Sequence, residues 1–179
     1  MKTRHLVYMA LFIALGIVLP IGFHMVGAAG PIFLPMHLPV FLAGIMTGPI
    51  GGLIVGVITP LLSSLMTGMP PVLPMLPIML VELGVYGLTI GYLFKNRNLS
   101  IYPSLIISML LGRIGVGIVV WSMVHIFNFA KLPANPTIFV WGSIVKGLPG
   151  IAIQLIIVPA ILIALKVYNG DLVDIGVNG

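Results

Sequence analysis

Residues 73–94 read LPMLPIMLVELGVYGLTIGYLF, and residues 95–98 read KNRN. The first run carries one charge, Glu82, and the second brings two cations, Lys95 and Arg97. A helix that crosses a bilayer needs about 20 mostly apolar residues. This stretch has that length, and its cations collect just past its end. It reads as a membrane-spanning helix from Leu73 to Phe94, followed by a solvated connector, Lys95–Asn98.

The same arrangement extends in both directions. Between Arg4 and Lys95, Glu82 is the only charged residue. Between Arg97 and Lys131 it is Arg113, and between Lys131 and Lys166 it is Lys146. The 179 residues are 60% apolar and 6% charged, against roughly 25% charged in an ordinary soluble domain. Such a surface could not face water, and the chain is too apolar to be disordered. The net charge is +5, but the eight Lys and Arg are spread along the chain. They make no patch for nucleic acid. The apolar runs are continuous rather than alternating, which argues against a β-barrel. Lys2, Arg4 and the following apolar run mimic a signal peptide. The run is too long for one, however, and no soluble domain follows it. Cysteine is absent, so there is no disulfide framework and no thiolate chemistry.

The expected fold is an all-α bundle of six helices in one membrane domain, residues 1–168, with a tail at 169–179. Helix 1 runs from His5 to Val26 with Pro20 as a kink, and Gly27–Pro31 breaks it. Phe33–His37 is an irregular approach to a short helix 2, Leu38–Thr47, too short to cross alone. Such irregular backbone at membrane depth must be covered by protein or line a cavity. Gly48-Pro49 is a turn, helix 3 runs to Met66 with Pro60 inside it, and Gly68–Pro71 is a loop. After helix 4 come helix 5, Ile101–His125, a loop at Asn128–Pro136, and helix 6, Ile138–Lys166. Gly48, Gly52 and Gly56, like Ala10 and Ala14, are spaced for close helix approach, intramolecular packing being the favoured reading for the glycines. No internal repeat is evident, so an inverted-repeat carrier gains no support.

Orientation follows from the cations. Lys2, Arg4, Lys95, Arg97 and Lys166 fall on one side and Lys131 alone on the other. The positive-inside rule then puts both termini in the cytoplasm and three loops outside: Gly27–Met36, Thr67–Val72 and Ile126–Thr137. A cup closed by outer loops is the natural reading.

Three lone charges sit within the helices, each near mid-depth. Glu82 and Lys146 lie roughly 13 and 12 Å below the outer starts of their helices, and Arg113 about 18 Å up from the inner side. Charges in lipid are expensive, so they face the interior, where they pair or meet a substrate. A Glu82–Arg113 ion pair with Lys146 snorkelling is one arrangement, and direct substrate contact is the other. One carboxylate against two cations suits an anionic ligand. Tyr86 shares a face with Glu82, and Met75 and Met79 precede it there. Trp121 lies near the Arg113 face, although an interfacial belt explains the outer aromatics in general. His37 is held between Pro35 and Pro39, which could aim its ring at a pocket. The expected site is therefore His37, Glu82, Tyr86, Arg113, Trp121 and Lys146, beneath the outer loops. His24, His37 and His125 make no i, i+4 pair and have no nearby Cys, so no metal is expected. No nucleotide loop or catalytic constellation is present, and the chain is not read as an enzyme.

Certain runs carry a resemblance. Pro35-Met36-His37-Leu38-Pro39-Val40, Ala43-Gly44, Thr47-Gly48-Pro49 and Gly52-Leu53-Ile54-Val55-Gly56 are similar to substrate-binding S components of energy-coupling factor (ECF) vitamin importers. So are Thr59-Pro60-Leu61-Leu62-Ser63-Ser64-Leu65, Gly68-Met69-Pro70-Pro71, Glu82-Leu83 and Gly147-Leu148-Pro149-Gly150-Ile151. The likeness spans about residues 5–168 and implies the S-component, riboflavin-transporter-like fold. It implies high-affinity binding of a vitamin or vitamin precursor from outside a prokaryotic plasma membrane. A transmembrane coupling subunit and two ATPase subunits would drive release. ATP is then hydrolysed by those partners, this chain binds no cofactor itself, and the S component topples rather than forming a pore. Ala10 and Ala14 match the family's docking motif. Pantothenate is the favoured substrate, on the charge excess, and a benzimidazole precursor of cobalamin is next. A stand-alone secondary carrier and a non-transporting membrane assembly protein are the other readings.

Overall fold

The computed structural model describes residues 3–25, 33–129, 132 and 135–164. Its helices are α1, Thr3–Met25; α2, His37–Thr47; α3, Pro49–Thr67; α4, Met75–Gly91; α5, Ile101–His125; and α6, Pro136–Ala164. A π-helical turn, Tyr92–Asn96, continues α4. Five of these units are long and apolar enough to cross a membrane, whereas α2 has 11 residues. No strand occurs among the described residues, and helices are one of the two ways in which a chain in lipid can satisfy its own backbone.

Proline and glycine set most boundaries. Gly48 has φ 85°, which only glycine adopts without cost, and Pro49 opens α3 where no amide partner is needed. Gly68 closes α3 with φ 72°, its N–H donating to the Ser64 carbonyl. Helix 4 was expected from Leu73 but begins at Met75, because the chain stays in turns through Pro74. Lys95 was expected in the connector and lies instead in the π-helical turn. Helix 2 starts one residue earlier than expected, at His37. The ends expected at Val26 and Lys166 lie outside the described residues, as do Lys2 and Lys131.

Glycine lets three helices touch backbone to backbone. A Cβ at Gly52 would run into the Gly87 carbonyl and the Gly44 Cα, and one at Gly56 would strike the Leu83 carbonyl. Gly91 meets the Gly48–Pro49 turn in the same way. The small-residue steps of α3 therefore serve packing within the chain, joining α2, α3 and α4. Lipid supplies no hydrophobic drive between helices, so such close contact is what holds them. Gly16 of α1 faces Thr59 of α3, and Gly112 of α5 lies over the Tyr86 ring of α4.

Short α2 sits at the centre. Val40, Phe41 and Ala43 are fully buried and pack with Leu83, Tyr86, Ile90, Leu105 and Leu162. A second cluster, including Ile78, Val116 and Val120, joins α4 to α5. The outside is apolar too: Val7, Val18, Leu65, Leu110, Ile118, Ile156 and Ile163 are all exposed. An exposed apolar belt around a centre that holds the polar groups is the pattern for a chain solvated by lipid. The Gly48 turn lies beside Lys95, so the start of α3 and the end of α4 share one end of the bundle. Met9 of α1 packs at Gly51, which brings Arg4 to that end as well.

Candidate functional site

Glu82 and Tyr86 stand one turn apart on α4, so both face the interior. The Tyr86 hydroxyl donates to Glu82 Oε1 at 3.0 Å. Arg113 of α5 reaches the same oxygen, with Nη1 at 3.0 Å. The glycine before it lets α5 come close: a side chain at Gly112 would occupy the Tyr86 ring. His37, the first residue of α2, brings Nε2 to 3.8 Å from that oxygen, too long for a hydrogen bond. Its ring tilts against Tyr86, with centroids 5.5 Å apart, while Phe41 stacks on Tyr86 at 5.1 Å. Three side chains from three helices thus converge on one carboxylate oxygen.

Helix α6 completes the cluster. Arg113 Nη1 donates to Ser143 Oγ at 3.0 Å, and Ser143 donates to the Val140 carbonyl at 2.8 Å. Gly147 leaves room beside the guanidinium and beside Leu34. Further along, Gln154 Nε2 donates to the Leu34 carbonyl at 3.4 Å. Both nitrogens of His37 and Nε of Arg113 are buried without a hydrogen-bond partner. Buried polar groups are seldom left so, and where they are the gap asks for an explanation.

Four of the six expected site residues, His37, Glu82, Tyr86 and Arg113, therefore meet. Trp121 is 50% exposed and stacks on His125 with centroids 5.2 Å apart. It lines an open groove of about 630 Å³ between α5 and α6, together with Gly117, Ile118, Val140, Trp141 and Arg113. Trp121 thus connects to the cluster through this groove, which it shares with Arg113. Lys146 is exposed, although Gly147 beside it faces the cluster. Among the described residues, no three His, Cys, Asp or Glu side chains gather where a metal could be held. The His24 side chain lies outside what the structure describes.

Sequence reasoning missed Ser143 and Gln154. Ser143 carried no signal, since serine is common in membrane helices. Gln154 did carry one: it is the only glutamine in the sequence and interrupts an otherwise apolar run.

No curated protein and no solved structure matches the chain. A family model described as "ECF transporter, substrate-specific component" matches residues 4–162, through all six helices and the whole cluster. The molecule is accordingly a multi-pass membrane protein and a transporter subunit, and it belongs to the family of ECF transporter substrate-specific components.

Proposed function

We propose that this subunit captures a water-soluble vitamin or vitamin precursor for import through an ECF module. The observation that carries the reading is the buried cluster of His37, Glu82, Tyr86 and Arg113, whose His37 ring nitrogens and Arg113 Nε lack hydrogen-bond partners. Pockets that fix a small ligand combine apolar and aromatic walls with a few convergent polar groups. Phe41 and Tyr86 supply aromatic surface at the cluster, and the unpartnered nitrogens supply the polar groups; the α5–α6 groove with its two tryptophans meets the cluster at Arg113.

Charge balance bears on the substrate. Pantothenate was favoured because two cations faced one carboxylate, but Lys146 is exposed and Glu82 is matched by Arg113. A balanced cluster beside aromatic walls suits an uncharged ring whose nitrogen can share a proton with His37. That favours the benzimidazole compound over pantothenate. The transmembrane coupling subunit would dock on the exposed Ala10–Ala14 face of α1, with ATP hydrolysed by the two ATPase subunits. The membrane is the prokaryotic plasma membrane, with both termini inside.

Native mass spectrometry of protein purified from cells is the test, with thermal shift against benzimidazole and pantothenate. A co-purifying vitamin-sized molecule and a stabilising shift by benzimidazole are expected. Absence of any small-molecule binding would leave an assembly protein. Uptake into vesicles without the ATPase module would indicate a secondary carrier.

A further inference from the structure

Leu34 has φ 50°, in the left-handed region that branched hydrophobic residues rarely visit. Such backbone persists only where its surroundings over-determine it. Three contacts do so. The Leu34 carbonyl accepts the His37 N–H at 3.1 Å and the Gln154 amide at 3.4 Å. Its side chain lies against Gly147, where even a Cβ would come within 3.1 Å of Leu34 Cδ1. Two of the three contacts come from α6.

Gln154 is 2% exposed and sits in a helix whose neighbouring positions, such as Ile156 and Ile157, are apolar and exposed. An amide in that place is costly unless it is bonded. His37, three residues beyond Leu34, is 3% exposed, and neither ring nitrogen has a hydrogen bond. No hydrogen bond holds its ring, whose orientation therefore rests on its backbone, on packing against Tyr86 and on the 3.8 Å approach to Glu82.

We propose that Gln154 is a positioning residue: it ties the Leu34 turn to α6 and so aims the His37 ring at Glu82 and at the ligand. Helix α6 then touches the cluster twice, through Ser143 on Arg113 and through Gln154 on the turn before His37. A displacement of α6 from α2 would move both groups together, the Ser143 hydroxyl that accepts from Arg113 and the Gln154 amide that donates to Leu34. The ligand arm of this inference rests on the proposed function; the positioning itself does not.

The test uses the whole chain in detergent with ¹⁵N-labelled histidine. The chain has four histidines, and the His37 ring signal is the one lost in His37→Ala. Gln154→Leu keeps volume and leaves the Leu34 carbonyl its bond to His37 N–H, so thermal stability should hold. Its His37 ring signal should shift or broaden, and Gln154→Asn, one methylene too short, should do the same. Benzimidazole affinity should fall about fivefold to tenfold in Gln154→Leu, the loss of one hydrogen bond's worth of placement. His37→Ala combined with Gln154→Leu should bind no worse than His37→Ala alone. An unmoved His37 signal in either folded Gln154 variant overturns the proposal, as do additive losses in the double variant. If the native protein ignores benzimidazole, the choice of ligand falls, and the ring signal alone decides the positioning role.

Discussion

The carboxylate of Glu82 and the guanidinium of Arg113 meet at 3.0 Å, with both side chains largely withdrawn from the surface. They come from different helices, α4 and α5, and the same Arg113 nitrogen also donates to Ser143 on α6. One ion pair thus links three helices at the level where the substrate is proposed to bind.

Breaking that pair from one side strands a buried charge, which typically costs about 3–5 kcal/mol. Arg113→Ala and Glu82→Gln should each lower the melting temperature in detergent markedly. Replacing both, as Glu82→Leu with Arg113→Met, should recover much of the loss, because no lone charge remains. Single variants as stable as the native chain would contradict the pairing.

Glycine at the three-helix junction predicts a contrast between two alanine substitutions. Gly87→Ala would push against the Gly52 backbone, and overpacking of this kind costs about 1–3 kcal/mol. Gly22→Ala meets nothing within 4 Å and should be neutral or gain about 0.5–1 kcal/mol from helix propensity. Thermal unfolding of the two variants side by side checks the order; equal stability would sink the junction argument.

Ala10 and Ala14 are both exposed on α1, beside exposed Leu11 and Leu15, while Phe12 is turned into the core. Tryptophan at either alanine should block approach of a partner helix without reaching the cluster. Substrate affinity of the isolated subunit should stay within about twofold, far below one hydrogen bond's worth, and ATP-driven uptake by the reconstituted complex should fall sharply. Normal uptake by both variants would mean that this face meets only lipid.

Topology gives the fourth prediction. Arg4, Lys95 and Arg97 belong to one end of the bundle, and the positive-inside rule makes that end cytoplasmic. The chain has no cysteine, so Asn98→Cys gives a single label site. An impermeant maleimide should react with it only after cells are opened. Labelling in intact cells would invert the orientation.

The sequence by itself determined the class and the helices. Lipid demands that backbone bonds be satisfied internally, so apolar length, proline, glycine and lone charges were enough to place α1 to α6 within a few residues. It also put Glu82 and Tyr86 on one face, since i and i+4 always share one; it marked Arg113 as an interior charge that must pair or meet a substrate, and it singled out His37 by the prolines on either side of it. Only the tertiary structure decided how each helix is rotated against its neighbours. In water an apolar stripe reveals that rotation, but here exposed Ile156 and buried Val158 are equally apolar. For that reason Lys146, expected inside, is exposed, whereas Ser143 and Gln154 on the same helix reach Arg113 and Leu34. Close glycine contacts and single hydrogen bonds set the rotation, and those depend on residues far apart in the chain.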